Sequence, residues 1–207
     1  MFSPNDRDLE RGWPGRLDGD RVVQLAAQTL QAFFTGGGKA REHDTFPVDE
    51  IALRAPVLHP GAVRLYDGDD FVFANPSGIH GPEEEVPLPA GAEYIEAQLR
   101  PAVVIGAGVI GGYTLVNDWI APELQGSKAH DFALSLGPAV VTPDEFDGGG
   151  VDWLTLLDHA ELNTRFFPGD IVAAPIVQRA GPFRAGDTVE LALDGIGTLR
   201  NRVVAAP

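Results

Sequence analysis

The run Tyr94 to Ile105 reads as a strand, in which the alternation from Ile95 to Arg100 puts Glu96, Gln98 and Arg100 on one face and Ile95, Ala97 and Leu99 on the other. A period of two is the signature of a strand with two unlike sides. Pro101 lacks an N–H and marks an edge or a bulge in that strand. The same alternation places Thr114, Val116 and Asp118 together on a following strand near 112–118, and Lys128, His130 and Phe132 together on the strand after it, near 131–141. Shorter β-branched runs predict strands at 51–54, 62–66 and 71–74, the last two divided by an Asp67-Gly68 turn. Residues 12–25 read as a hairpin around Asp18-Gly19, and 194–197 (DGIG) as a hairpin turn between VELAL and TLRNRVV. Pro168-Gly169-Asp170 and Ala185-Gly186-Asp187 each open a further strand.

Helical spacing occurs twice. From Gln24 to Thr35 the residues Ala26, Ala27, Leu30, Phe33 and Phe34 follow it, and Gly36 to Gly38 end the helix. The segment 151–167 starts with a short helix. The acidic, Pro-rich stretch 81–91, with Glu83 to Glu85, reads as a solvated connection.

Composition fits this pattern of many turns: 25 Gly and 17 Pro lie among 207 residues that are 44% hydrophobic, enough for one mostly β domain with a sizeable core. A formal net charge of −15 repels phosphate backbones and anionic membrane surfaces, so nucleic acid and membrane are not expected partners. With no Cys, disulfide, thiolate and Cys-metal chemistry are excluded. The N-terminus MFSPNDRDLERG lacks the regions of a signal peptide, and no apolar run reaches the roughly 18 residues of a bilayer span; a soluble, cytoplasmic protein is expected.

The stretch GYTLVND, then a segment ending in Gln125, then KAHDFALSLGPAVVT, resembles the fumarylacetoacetate hydrolase superfamily. So do RGWPGRLDGDRVVQLAAQTLQAFF, LRAPVLHPGAVR, VFANPSGIHGP, PGDIV and AGDTVELALDGIGTLRNRV, in that order along the chain. The resemblance implies an α+β, mostly β fold: a mixed β-roll or β-sandwich over 51–207 with a few short helices, on which the hairpin and helix of 1–50 pack. It also implies a homodimer, and a Mg, Mn or Ca ion held by carboxylates that acts on small 2-oxo or 1,3-dicarbonyl acids by hydrolysis, decarboxylation, hydration or isomerisation.

Residue by residue, much of that machinery is replaced. Where the family has a metal-binding Asp after Val-Arg, Leu65 stands, and the segment with the water-activating His gives way to YDGDD running directly into FVFANP. The family's Glu-x-Glu falls on Gln98 and Arg100, or, shifted by two residues, on Glu96 and Gln98. Asn117 and Asp118 match, Pro122 replaces an Arg, Gln125 agrees, and His130 takes the place of a Lys, with Lys128 two residues earlier. Pro175-Ile176 stands where Gly-Thr is usual.

The favoured reading is an enzyme without cofactor whose pocket binds an enolisable or carboxylate-bearing small molecule for isomerisation, decarboxylation or cyclisation. Arg100 anchors the anion, with Gln98, Gln125, Leu65 and Ile176 lining the site, while Asp118, His130 and Lys128 move protons. One alternative keeps a Mg- or Mn-dependent C–C hydrolase or decarboxylase with Asp118, Glu96 and Gln98 as ligands. Another is a ligand-binding relative without catalysis. Structural roles stand beside each site role: Asp118 capping backbone N–H groups, Arg100 paired with Glu96 on its own strand, and His130 packing.

Overall fold

The densest β-branched runs form the two longest strands, which pair with each other at the centre of the molecule. In the computed structural model, which describes residues 1–7, 9 and 11–206, the strands are, in chain order, β1 (Phe2–Pro4), β2 (Gly15–Asp18), β3 (Arg21–Leu25), β4 (Glu42–Pro47), β5 (Ile51–Leu53), β6 (Val63–Asp67), β7 (Asp70–Phe73) and β8 (Ile79–His80). The second half adds β9 (Glu85–Pro87), β10 (Ile95–Ile105), β11 (Ile110–Ile120), β12 (Leu134–Val141), β13 (Ile171–Ala173), β14 (Gln178–Phe183), β15 (Thr188–Leu193) and β16 (Gly197–Val204). Two α-helices, α1 (Leu30–Thr35) and α2 (Trp153–Glu161), complete the regular structure of a mostly β chain.

The main sheet runs β7-β6-β13-β10-β11-β12-β8, with β14 pairing the first half of β10 and β13 the second. One face of β10 and β11 carries Ile95, Leu99, Val103, Leu115 and Trp119 into a core shared with Val189, Leu191, Leu199 and Val203 of the β15-β16-β9 sheet. The other face carries Ala102, Val104 and Val116 into a second core with Leu65, Leu134, Leu136 and Phe34 of α1. Helix α1 sits close because β11 offers Gly111, where a Cβ would come within 2.9 Å of the Phe34 ring. The polar positions Gln98 and Arg100 belong to this second face, so the sheet passes from a covered half at 102–104 to a polar half at 96–100.

Residues 1–50 hold the β2-β3-β4 sheet and a small cluster of Phe2, Val22 and Ile51, and β1 pairs with β5. Among the described residues no helix is long and apolar enough to cross a membrane.

Several local expectations need correction. Gln24 and Leu25 belong to β3, where Gln24 pairs with Gly15, and helix α1 starts only after Thr29, whose hydroxyl accepts the Ala32 N–H at 3.0 Å. The stretch 81–91 contains β9, which pairs in parallel with β16. Pro101 is neither at an edge nor at a bulge: its carbonyl accepts from Ala174 and that of Leu99 from Val177, so its missing N–H falls in the gap between β13 and β14. Lys128 and His130 share no strand. Gly126–Ala129 is a 3-10 turn, the Ser127 carbonyl accepts the N–H groups of His130 (3.1 Å) and Asp131 (3.0 Å), and β12 begins at Leu134.

Candidate active site

Antiparallel pairing sets Gln98 opposite Asp118 and Arg100 opposite Val116, so the polar positions of β10 and β11 share a face. The neighbouring Asn117 serves the backbone instead: its Oδ1 accepts the Gln98 N–H at 2.8 Å, which braces the strand pair directly beneath Asp118. Residues of β6 and β7, Ile176 and the 126–131 turn meet this face. Between them lies a cavity of about 540 Å³ whose lining includes Gln98, Arg100, Asp118, His130, Leu65 and Ile176. A smaller cavity of about 170 Å³ beside Thr29, Gln31 and His59 gathers no comparable set of ionisable groups.

Arg100 and Asp118 are both only 5% exposed in their side chains. The Arg100 Nη1 donates to the carbonyls of Tyr66 and Ala174, the latter at 3.3 Å, and so fixes the fork against the β6 and β13 ends. Its Nη2 stands 3.8 Å from Asp118 Oδ2, while Asp118 Oδ1 stands 3.8 Å from His130 Nδ1. Both separations exceed a closed hydrogen bond. The guanidinium, both carboxylate oxygens and the imidazole therefore face a shared space with hydrogen-bonding capacity left over. Nε of Arg100 is buried with no partner among the described residues.

Burial pushes the Arg100 pKa down, opposed by Asp118 and Asp67 and reinforced by Arg179. Hydrogen bonding toward Asp118 raises His130 above the ordinary imidazole value; burial and Arg100 oppose it, and the Asp118 charge adds to it. At 3.8 Å the hydrogen bond is not closed, so it is the attraction of the Asp118 charge for the imidazolium that favours the protonated form. His130 is half exposed, which leaves it free to exchange protons with water or ligand.

The remaining sequence candidates lie elsewhere. Lys128 is 78% exposed and does not itself line the cavity; its Nζ pairs at 2.7 Å with Oδ2 of Asp131, which does. Gln125 is exposed at the start of the 3-10 turn, and neither it nor Glu96 lines the cavity. The ionic contact of Arg100 is with Asp118 on the partner strand, not with Glu96. Sequence reasoning passed over Asp67, Val72, Phe73, Asn75, Asp131 and Arg179, all of which line the cavity. Arg179 comes from β14, whose sequence QRAGPF has no strand periodicity; it stands opposite Gln98 by register alone.

A hard divalent cation takes several oxygen ligands, largely carboxylates. Among the described residues no group of three or more His, Cys, Asp or Glu side chains is placed to hold one. At this cavity Asp118 has Leu65, Gln98 and Arg100 as neighbours, and a guanidinium nitrogen 3.8 Å from its Oδ2. This donor set does not fit the family's ion.

No family model matches the chain. Among curated proteins, Protein Rv2993c of Mycobacterium tuberculosis is 29% identical, over 95% of this chain and 92% of its own length. Fumarylacetoacetate hydrolase domain-containing protein 2 of Pongo abelii is 24% identical, over 90% and 77%. The chain belongs to the fumarylacetoacetate hydrolase superfamily. Its relatives in that superfamily include proteins named as a hydrolase, a dehydratase and a tautomerase. The superfamily fold is matched over nearly the whole chain: maleylpyruvate hydrolase from Sphingobium superposes with a TM-score of 0.80 at 20% identity, covering 95% of this chain and 98% of the other.

Proposed function

We propose that this superfamily member is a metal-independent enzyme that moves a proton on an enolisable, carboxylate-bearing oxo acid, with keto–enol isomerisation as the reaction its groups suit best. The observation that carries this is the open array of Arg100, Asp118 and His130, held at 3.8 Å spacings around one cavity. Neutral His130 removes a proton from the carbon next to the carbonyl. The electron pair moves to the carbonyl oxygen, where the Arg100 Nη2 stabilises the enolate, and the imidazolium returns its proton to that oxygen or to carbon. Asp118 lies beside the imidazole and steadies its charged form. Because Arg100 and Asp118 are withdrawn from water, their charges act on a ligand with less screening than surface groups would.

Isomerisation asks only for a base and a charge partner, both present here, whereas hydrolysis would also need an activated water. The relative named as an oxaloacetate tautomerase supports the same reaction class. The test is the rate of α-proton exchange of oxaloacetate in D2O, followed by NMR in the presence of EDTA. Exchange above the buffer rate that falls in Arg100→Gln and in His130→Gln supports the reading. Exchange that requires added Mg or Mn would replace it with the metal-dependent alternative.

A further inference from the structure

The cavity changes character from its floor to its mouth. Arg100, Asp118 and Leu65 form a buried floor, with Leu65 only 2% exposed. Val72, the strand partner of Leu65, shares its face and is 63% exposed, and the next residue, Phe73, is 67% exposed. Leu65, Val72 and Ile176 therefore give the cavity an apolar side, a track that leads from the buried floor toward the outer edge of the sheet. β7 is the terminal strand of that sheet. Exposed edge strands are commonly protected by charge or proline, and contiguous exposed apolar groups mark a binding surface. Here Asp70 guards only the start of the strand, and Val72 and Phe73 are left exposed at its other end.

Size points the same way. A cavity of about 540 Å³ lies within the range of about 300–1,000 Å³ that encloses drug-sized ligands. A short oxo acid held at Arg100 would leave most of the apolar track bare. We infer that the substrate is amphiphilic: an oxo-acid head at Arg100 joined to an apolar body that lies along Leu65 and Val72 and crosses the β7 edge. This rests on the function proposed above for the head, and adds the tail.

The experiment measures the affinity of the full chain for 2-oxo acids from 2-oxobutanoate to 2-oxodecanoate by titration calorimetry. Full burial of a methylene strengthens binding about fourfold, and a half-covered track about twofold, or about 60-fold over the series. Val72→Asp should flatten the series, since it places a carboxylate on the track. Val109→Asp, also at an exposed apolar position but outside the cavity lining, should leave the slope as it is. A flat wild-type series in which Arg100→Gln still weakens every acid would overturn the tail and leave the proposed function standing. A slope that survives in Arg100→Gln with undiminished affinity would keep the track and remove the anchor. A Val72→Asp chain whose sedimentation changes while its slope persists would assign the β7 edge to a second copy and overturn the inference.

Discussion

Replacing Arg100 by Met keeps the unbranched stem of the side chain and removes the guanidinium with its donors, so that paired measurements of stability and binding separate what the guanidinium does for the fold from what it does for a ligand. For the fold, Nη1 serves two backbone carbonyls, those of Tyr66 and Ala174, and Nη2 stands 3.8 Å from the 5%-exposed Asp118. Leaving buried acceptors short of a donor costs about 1–3 kcal/mol each, and an unpaired buried charge adds to this. Part is returned because the guanidinium no longer has to be desolvated, the effect that holds its pKa down. A net loss of about 2–4 kcal/mol is expected from urea unfolding. For an anionic ligand the loss is that of a buried, hydrogen-bonded charge partner, about 2–5 kcal/mol, or about 30- to 5,000-fold in Kd. Arg100→Lys should recover only part of both, since an ammonium cannot serve the two carbonyls and the cavity with one planar fork.

The assay pairs calorimetric titration of a 2-oxo acid with that of its methyl ester, on variants shown to be folded at the working pH. The acid should lose affinity and the ester should change little. If folded Arg100→Met binds the acid within threefold of the parent, or loses acid and ester equally, the anchoring role is wrong.

His130 gives a pH test. Its folded-state pKa lies above the ordinary 6.5, so the limb of kcat/KM that tracks the neutral base should rise above pH 6.5, and Asp118→Asn should move it to lower pH. The matching stability term is present below the unfolded value and fades as pH rises through the folded one; it is small because His130 is half exposed. Titration with Mg or Mn should give no micromolar binding, and a micromolar Kd that disappears in Asp118→Ala would restore the carboxylate-metal alternative. We also propose a homodimer, for which exposed Leu154, Leu162 and Phe167 offer apolar surface; sedimentation at the 22.0 kDa chain mass alone would exclude it.

The parts of the fold legible in the sequence are those whose cause is local. Alternation from Ile95 to Arg100 is visible because the two faces of that half of β10 meet different surroundings, core on one side and the polar cavity on the other, and Asp18-Gly19 and Asp67-Gly68 announce turns because Gly19 and Gly68 take positive φ. β9 is a different case. Its three residues, Glu85 to Pro87, are a strand only because β16 lies alongside, more than a hundred residues later, and no property of the segment itself reports this. At 126–131 the alternation of Lys128 and His130 was real but the period was the wrong one, because Gly126 at positive φ turns the chain into a tight helix that sends Lys128 outward and His130 toward Asp118.

The site divides along the same line. Gln98, Arg100 and Asp118 were recognisable because β10 and β11 are consecutive and pair directly, so face and register follow from the pattern. Val72 and Arg179 were not, because one reaches the cavity through β6 and the other through β14, a strand recognisable only by its pairing with β10. On the proposed reading this matters for the chemistry. A guanidinium fixed on β10 supplies directional hydrogen bonds and one positive charge, but it has neither the double charge of a divalent ion nor an exchangeable position at which water could be activated. Such a group suffices to stabilise an enolate and falls short of driving hydrolysis. On that proposal Leu65, Gln98 and Arg100 favour proton transfer over hydrolysis, and Leu65 and Val72 are where the proposed apolar body of the substrate would lie.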